Sequence, residues 1–248
     1  MRLQNQTAVV TGAARGIGFA IAQRFLREGA QVMIADLDGA AAAEAVARLD
    51  EEAPGRSAAV AVDVSSKPDC MRMMASAAER FGAVDILVCN AGIVRRAAPI
   101  EDIAPETWDK VIGVNLMGCI YPTQIFAPIA KARGTGRIIY MASVAGEVGG
   151  VSAEITYSVT KAGVLCLTKA VAKQLAPHGI TVNAIAPGAV RTAMTDVLQY
   201  DASVQKSIPL GTYGDVEDIA SAAAYLASAD AKYVTGATLD VNGGLFMR

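Results

Sequence analysis

The chain has 248 residues, of which 53% are hydrophobic and 19% are charged, a composition typical of a folded globular protein and too apolar for a disordered one. Its 22 Lys and Arg residues stand against 24 Asp and Glu residues, and the net charge of −2 gives no basic field that would bind nucleic acid or an acidic membrane surface. The single histidine, His178, excludes a zinc site built from several imidazoles, and we expect no bound metal.

The cysteines and the N-terminus indicate a cytoplasmic protein. Cys70, Cys89, Cys119 and Cys166 lie far apart among apolar neighbours, which predicts buried and reduced thiols. The segment Met1 to Thr7 lacks the charged and apolar regions of a secretory signal.

Short runs rich in Val and Ile alternate with helical patterns along the whole chain. This alternation predicts one α/β domain over residues 1–248, a Rossmann-type doubly wound parallel sheet of about seven strands with helices on both faces. Ligands of such sheets bind at the carboxyl ends of the strands, where the strand order reverses. The predicted strands are Thr7–Thr11, Gln31–Ala35, Ala58–Val62, Val84–Asn90, Gly136–Met141, Ile180–Ala186 and Thr238–Val241. The predicted helices are Gly16–Glu28, Gly39–Glu52, Pro68–Phe81, Pro105–Ala132, Ser158–Ala176 and Val216–Ala227.

One window, Val111 to Ala130, is free of charge over a length that could cross a membrane. It contains Asn115, Pro122 and Pro128, which are unfavourable in a lipid-spanning helix. A buried helix followed by a break, and no membrane association, is therefore the prediction.

A glycine-rich turn, TGAARGIG, follows the first strand from Thr11 to Gly18. Glycines let the backbone turn sharply and approach a pyrophosphate, whose charge is favoured at the start of a helix. No Lys-Ser or Lys-Thr pair follows, which disfavours a loop that hydrolyses nucleoside triphosphates. Packing alone is the alternative. The residues of this turn that we assign to cofactor binding are Gly12, Arg15, Gly16, Ile17 and Gly18.

Asp36 and Leu37 end the second strand, at the distance from the glycines where an acidic group meets an adenosine ribose. A carboxylate accepts hydrogen bonds from both ribose hydroxyls and repels a 2′-phosphate, which favours NAD over NADP. Arg15 opposes this preference, because a cation there can pair with a 2′-phosphate. Asp38 is the better candidate to cap the following helix.

The third and fourth strands end in residues suited to the same nucleotide. Asp63 and Val64 can hold an adenine amino group and ring, and the small turn Asn90-Ala91-Gly92 lets a cofactor lie against the backbone.

The strongest catalytic pattern is Tyr157 with Lys161, preceded by Ser143 at the end of the fifth strand. Residues four apart on a helix share a face, so the Lys161 ammonium can lie near the Tyr157 hydroxyl and favour its deprotonated form. Such a phenol could act as a general acid and base.

In the order and spacing of these motifs the chain resembles the short-chain dehydrogenases/reductases from Leu3 to about Gly244. The resemblance implies that Tyr157 exchanges the substrate proton, Ser143 binds the reacting oxygen, and Lys161 binds the nicotinamide ribose and tunes Tyr157. It also implies that Asn115 distorts its helix and holds a water that links Lys161 to solvent. Cys89 departs from the family, which more often has Asn there. The resemblance also implies that four further residues contact the nicotinamide: Pro187, Gly188, Val190 and Thr192.

The implied function is an NAD(P)-dependent oxidoreductase that interconverts a secondary alcohol and its ketone. We expect Ala145, Glu147, Val148, Ser152 and Glu154 to line the cleft beside the catalytic residues. The two carboxylates could recognise the hydroxyls of a polyol or sugar, or could be solvated. The segment Thr192 to Pro209 is expected to select the substrate, with Met194, Val197, Leu198, Tyr200 and Ile208 among its residues. Alternatives are a 3-oxoacyl-[acyl-carrier-protein] reductase, which Ile208 to Gly211 resembles, and a dinucleotide-binding regulator without turnover. The family implies a homotetramer, with Gly244 to Met247 as a buried subunit contact.

Overall fold

The computed structural model describes residues 1–150, 152–192, 197–198 and 202–247. Its strands form one sheet of seven in the order β3-β2-β1-β4-β5-β6-β7, and each neighbouring pair is parallel. The order reverses between β1 and β4, so the predicted doubly wound sheet is confirmed. The strands are β1 (Thr7–Thr11), β2 (Gln31–Asp36), β3 (Ser57–Ala61), β4 (Ile86–Cys89), β5 (Gly136–Met141), β6 (Ile180–Pro187) and β7 (Thr238–Val241).

Helices cover both faces of the sheet. The helices are α1 (Gly16–Arg27), α2 (Gly39–Asp50), α3 (Lys67–Phe81), α4 (Pro105–Ile112), α5 (Gly118–Arg133), α6 (Ala145–Val148), α7 (Ile155–Leu175), α8 (Ala202–Ser207) and α9 (Val216–Ala227). One buried apolar cluster joins α1, α2 and α9 to one sheet face, and a second joins α3, α5 and α7 to the other. Side chains alternate along a strand, so Val10 belongs to the first cluster and Val9 to the second.

Several predicted boundaries are wrong by a few residues. Strand β3 lies one residue earlier than predicted, and β4 is shorter at both ends because the backbone turns at Asn90. Helix α7 begins at Ile155 rather than Ser158, so Tyr157 lies inside its first turn. The main cause is local, since strand and helix ends are set by hydrogen bonds that side-chain periodicity does not report.

The predicted break in the apolar window is also wrong. α4, a π-helical turn at Gly113–Met117 and α5 form one continuous helical stretch, and Pro122 and Pro128 lie inside it. Each proline removes one backbone hydrogen bond, but tertiary packing of the inward face, including Pro122 and Phe126, retains the helix.

By length and composition this stretch, Pro105–Arg133, could cross a membrane. A third of its most apolar window, 33%, is buried, and its inward face packs on the sheet and on α3 and α7. Core helices of water-soluble domains pass the same test, so the stretch gives no argument for membrane insertion.

The predictions for the cysteines and for His178 have different outcomes. All four cysteines are described and free, and Cys70, Cys89 and Cys119 are buried as predicted, but Cys166 is exposed on α7. Burial raises the pKa of the Cys70 thiol to about 11, so it stays protonated at neutral pH. His178 is exposed in a short turn after α7, as expected of a solvated residue.

Candidate active site

The glycine turn brings α1 into close contact with the neighbouring strand ends. Gly12 has a φ of +62°, and a Cβ there would lie 2.8 Å from Cα of Ala91. A Cβ on Gly18 would lie 2.3 Å from the Gly12 carbonyl oxygen. Both positions therefore require glycine, one for its backbone conformation and both for space.

The first turn of α1 is open to an anion. Among the described residues, the N-cap residue Arg15 makes no side-chain capping bond and the first turn contains no acidic group. Its backbone N–H groups and the positive end of the helix dipole thus remain available for a phosphate. Arg15 is itself exposed beside this site.

Asp36 lies at the end of β2, facing the glycine turn. Its Oδ2 atom accepts a hydrogen bond from the Ala14 amide at 3.0 Å, and its Oδ1 atom accepts one from the Asp38 amide at 3.2 Å. Asp38 caps α2, accepting from the Ala41 amide at 3.0 Å, as predicted. Asp36 is therefore fixed by backbone donors and still has lone pairs for ribose hydroxyls. Leu37 beside it is 74% exposed, an apolar surface at the cleft edge.

Polar side chains that follow β3 and β4 also lie at this cleft. One carboxylate oxygen of Asp63 accepts bonds from the Ser65 amide at 2.9 Å and the Ser65 hydroxyl at 2.6 Å. The Asn90 side chain donates to the carbonyl oxygens of Thr11 at 2.9 Å and Gly12 at 3.0 Å. Asn90 therefore supports the glycine turn from the adjacent strand.

Cys89 is 1% exposed and points away from the cleft, with its thiol 3.9 Å from the Cys119 carbonyl oxygen. The departure from the family pattern at this position thus concerns packing, as expected.

Asn115 lies in the π-helical turn and is fully buried. Its Oδ1 atom accepts from the Ile93 amide at 2.8 Å, and its Nδ2 atom donates to the Ile93 carbonyl oxygen at 2.9 Å and to the Thr160 hydroxyl at 3.2 Å. The Thr160 hydroxyl donates in turn to the Tyr157 carbonyl oxygen at 2.8 Å. Asn115 thus connects the segment after β4 to the helix that carries Tyr157.

Tyr157 and Lys161 share a face of α7, as their spacing predicted. The Lys161 Nζ atom lies 5.6 Å from the centre of the Tyr157 ring and donates to the Met141 carbonyl oxygen at 2.6 Å. Lys161 is 3% exposed, so its charge acts in a largely dry environment. Ser143 is 8% exposed at the end of β5, and its hydroxyl accepts from the Ala145 amide at 3.1 Å.

One cleft of about 980 Å³ at the carboxyl ends of the strands joins these groups. Gly18 and Asn115 do not line it but lie behind its wall, where they support lining residues. Thr192 faces the glycine turn, its Cγ2 atom 3.9 Å from where a Cβ on Gly16 would lie. The predicted residues that line the cleft are Gly12, Arg15, Gly16, Ile17, Asp36, Leu37, Asp63, Val64, Asn90, Ala91, Gly92, Ser143, Tyr157, Lys161, Pro187, Gly188, Val190 and Thr192.

The rest of the described lining is mainly apolar, and its polar side chains are those of Lys110, Ser152, Ser203 and Ser207. It includes Ala145, Val148, Ser152 and Leu198, which the sequence indicated, and Val94, Val204 and Leu245, which it did not. These last three carry no motif, and only the folded chain brings them to the cleft. Met194 and Tyr200 of the expected substrate segment lie outside the described residues.

The prediction that Glu147 and Glu154 line the cleft is wrong, since neither contributes to the described lining. Glu154 is 4% exposed, accepts from the Thr156 hydroxyl at 2.9 Å, and lies 3.8 Å from Nε of Arg95. It is a buried structural carboxylate at the start of α7.

The residues present fit a nicotinamide dinucleotide: an open helix N-terminus for the pyrophosphate, a fixed carboxylate for a ribose, and a paired tyrosine and lysine beside the remaining space. Fold and cleft together define a Rossmann-type oxidoreductase of this kind.

Comparisons with known proteins place the chain within one family. A family model described as Enoyl-(Acyl carrier protein) reductase matches residues 12–246. The chain is 41% identical over 257 residues to (3R)-3-hydroxyacyl-CoA dehydrogenase of Rattus norvegicus, covering 100% of this chain and 98% of the relative. It is 39% identical over 262 residues to galactitol 2-dehydrogenase of Agrobacterium fabrum, covering 100% of both.

A solved structure is similar as well. The crystal structure of 3-ketoacyl-(acyl-carrier-protein) reductase from Brucella melitensis complexed with NADH matches with a TM-score of 0.92 and 35% identity, covering 99% of this chain and 100% of that chain. The chain belongs to the short-chain dehydrogenase/reductase family. It is an oxidoreductase of alcohols and ketones that uses a nicotinamide dinucleotide.

Proposed function

We propose that the protein interconverts a secondary alcohol carrying an apolar chain and the corresponding ketone, with NAD as the preferred cofactor. One observation carries the substrate class. Among the described lining residues, the charged side chains are Arg15, Asp36, Asp63, Lys110 and Lys161, and none of them comes from the apolar side formed by Val94, Val148, Leu198, Val204 and Leu245. A mainly apolar wall favours a hydrocarbon chain over a row of hydroxyl groups, although Ser152, Ser203 and Ser207 also line the cleft.

A 3-hydroxyacyl or 3-oxoacyl thioester belongs to this substrate class, and relatives named for such substrates support it. A polyol is the second candidate, supported by the galactitol dehydrogenase relative. The support that Glu147 and Glu154 gave to a polyol is absent, because neither lines the described cleft.

In this proposal Tyr157, Ser143 and Lys161 perform the proton chemistry. When bound, the nicotinamide supplies the hydride for ketone reduction or accepts it from the alcohol. Tyr157 donates its phenolic proton to the carbonyl oxygen in reduction and accepts the hydroxyl proton in oxidation. The Ser143 hydroxyl donates a hydrogen bond to the same oxygen and orients it. The buried Lys161 ammonium stabilises the phenolate that forms.

Asn115 acts as a positioning residue. Its side chain fixes the backbone of Ile93 beside the cleft and reaches Tyr157 through Thr160. Pro187, Gly188, Val190 and Thr192 would hold the nicotinamide, and Asp36 would bind the adenosine ribose.

The test uses Tyr157→Phe. Removing the phenolic hydroxyl should lower kcat about 100- to 10,000-fold while the Kd for NADH changes less than about threefold, since general acid–base catalysis contributes roughly 10²–10⁴-fold. Turnover is followed by nicotinamide absorbance with 2-alkanones, a 3-oxoacyl thioester and a ketose, and NADH binding by its fluorescence. Tyr233→Phe, at a tyrosine that is 99% exposed, is the matched control and should behave as wild type.

Each outcome separates the alternatives. Reduction of alkanones or the thioester with little activity on the ketose supports the apolar substrate, whereas preference for the ketose supports the polyol candidate. NADH binding without turnover of any carbonyl compound would indicate the dinucleotide-binding regulator instead.

We also propose a homotetramer, located in the cytoplasm. A stripe of exposed apolar side chains runs along α7 through Ile155, Val159, Ala162 and Cys166, with Ile155 37% and Val159 49% exposed. Ile129 on the adjacent α5 is 39% exposed. Contact between identical protomers would remove this surface from water.

A further inference from the structure

The chain ends in a tightly bonded turn directly after β7. The Asn242 side chain accepts from the Gly244 amide at 2.9 Å and donates to the Phe246 carbonyl oxygen at 3.1 Å. The Leu245 amide donates to the Asn242 carbonyl oxygen at 3.2 Å. Gly243 and Gly244 have φ values of +64° and +90°, conformations that favour glycine. The turn Asn242–Phe246 is therefore fixed in shape by its own residues.

Contacts on two sides fix where this turn lies. A Cβ on Gly188 would be 2.7 Å from Cα of Asn242, so the turn packs directly on the strand end that we assign to the nicotinamide. On the other side the Leu210 amide donates to the Gly243 carbonyl oxygen at 3.1 Å, and a Cβ on Gly243 would be 2.6 Å from Cγ2 of Ile208. The turn is thus held between the cofactor wall and the segment that follows α8.

This placement brings Leu245 to the cleft. It is partly buried and lines the apolar side together with Leu198, Val204 and Ser207. Met247, two residues further, is 73% exposed and is not part of the lining. Because the turn is braced on both sides, Leu245 cannot withdraw without breaking the bonds just described.

We infer that Leu245 is a specificity-determining residue that limits the length of the substrate's apolar chain. The inference rests on the proposed function, since it requires a substrate with such a chain. A smaller side chain at this position adds space that further methylene groups can fill. Each additional buried methylene should raise kcat/KM about fourfold, the factor that corresponds to roughly 0.8 kcal/mol.

The experiment measures kcat/KM with NADH for unbranched 2-alkanones and 3-oxoacyl thioesters of four to ten carbons, for wild type, Leu245→Ala, Leu245→Phe and the control Met71→Ala, at an exposed methionine on α3. We expect the preferred chain to lengthen by about two carbons in Leu245→Ala and to shorten in Leu245→Phe. Met71→Ala should match wild type. The Kd for NADH should stay within about threefold in all variants, which shows that each one folds.

The outcomes distinguish a failure of this inference from a failure of the proposed function on which it rests. Wild-type reduction of the series with the same preferred chain length in both Leu245 variants would overturn the inference and leave the proposed function standing. Absence of wild-type turnover of both the alkanones and the thioesters would overturn the proposed apolar substrate and the inference with it. Opposite shifts in the two variants would support both.

Discussion

Asp36 shows how one side chain serves both the fold and the proposed cofactor choice. Both of its oxygens accept backbone hydrogen bonds, from Ala14 and from Asp38, so the carboxylate is held before any ligand arrives. A negative charge fixed at this position opposes the phosphate that distinguishes NADP from NAD. Arg15, exposed nearby, acts in the opposite direction.

Asp36→Asn tests this balance. The amide retains an acceptor for the Ala14 amide but loses the charge that repels a 2′-phosphate. We expect the ratio of kcat/KM with NADH to that with NADPH to fall about ten- to a hundredfold, since hydrogen bonds to charged groups are worth about 1.5–3 kcal/mol. Steady-state kinetics with both cofactors measure the ratio. Asp38→Asn is the control, because Asn caps a helix as well as Asp; an unchanged ratio in the Asp36 variant would contradict the assignment.

Residues with chemical motifs were predictable from the sequence, and residues defined by packing were not. Their spacing in the sequence identifies Tyr157, Lys161 and the glycines, because the geometry of a helix or a turn is set by residues only a few positions apart. Leu245 has no such local signal, since its place depends on the packing of its turn, through Asn242 and Gly243, on residues distant in sequence. The prediction for Glu154 failed for a related reason. Its closeness to the catalytic residues could be inferred from the local sequence, but its burial depends on residues that are distant in sequence.

At the scale of elements, a short backbone pairing joins the segment after β4 to the residues just before α7. The Glu154 amide donates to the Arg95 carbonyl oxygen and the Ala97 amide to the Ser152 carbonyl oxygen, both at 2.9 Å. The Glu154 carbonyl oxygen in turn accepts from the Tyr157 amide at 3.0 Å. This pairing positions the first turn of the catalytic helix against the segment that Asn115 holds at Ile93.

Glu154→Gln tests the contribution of the buried carboxylate to this pairing. The amide can still accept from Thr156, but it loses the attraction to Arg95. We expect the free energy of unfolding, measured by urea denaturation, to fall by about 1–3 kcal/mol. The reason is that the buried side-chain amide introduced by the substitution is left with incompletely satisfied hydrogen bonds. Glu106→Gln, an exposed acidic residue in the first turn of α4, should change stability by less than about 0.5 kcal/mol. Equal stability of both variants would show that the Glu154 charge has no role in the pairing.

The helical stretch Pro105–Arg133 marks the limit of element prediction. Its start was predicted correctly, because Pro105 stands at a first helical position where proline is favoured. The helical pattern also predicted its extent, to Ala132, but Pro122 and Pro128 were interpreted as a break, since local propensity disfavours proline inside a helix and packing against the sheet compensates for it. The π-helical turn around Asn115 could be expected from the family resemblance but not from periodicity.

For the whole molecule, the exposed apolar stripe on α7 predicts the assembly. Wild type should scatter light as a particle of about four 25.6 kDa chains. Val159→Lys places a charge in the middle of the stripe and should yield a smaller particle at micromolar concentration, because an unpaired buried charge is costly. Met71→Lys, at an exposed methionine on α3, should leave the particle size unchanged. A wild-type monomer would contradict the proposed tetramer.

The bonds from Asn90 to the carbonyl oxygens of Thr11 and Gly12 have a consequence for how the dinucleotide associates. The side-chain amide of Asn90, which follows β4, holds the glycine turn in its conformation. The turn therefore loses its conformational entropy during folding and not when the dinucleotide binds. A preorganised site needs little rearrangement on binding. We therefore expect the backbone of the glycine turn to move little when the dinucleotide binds.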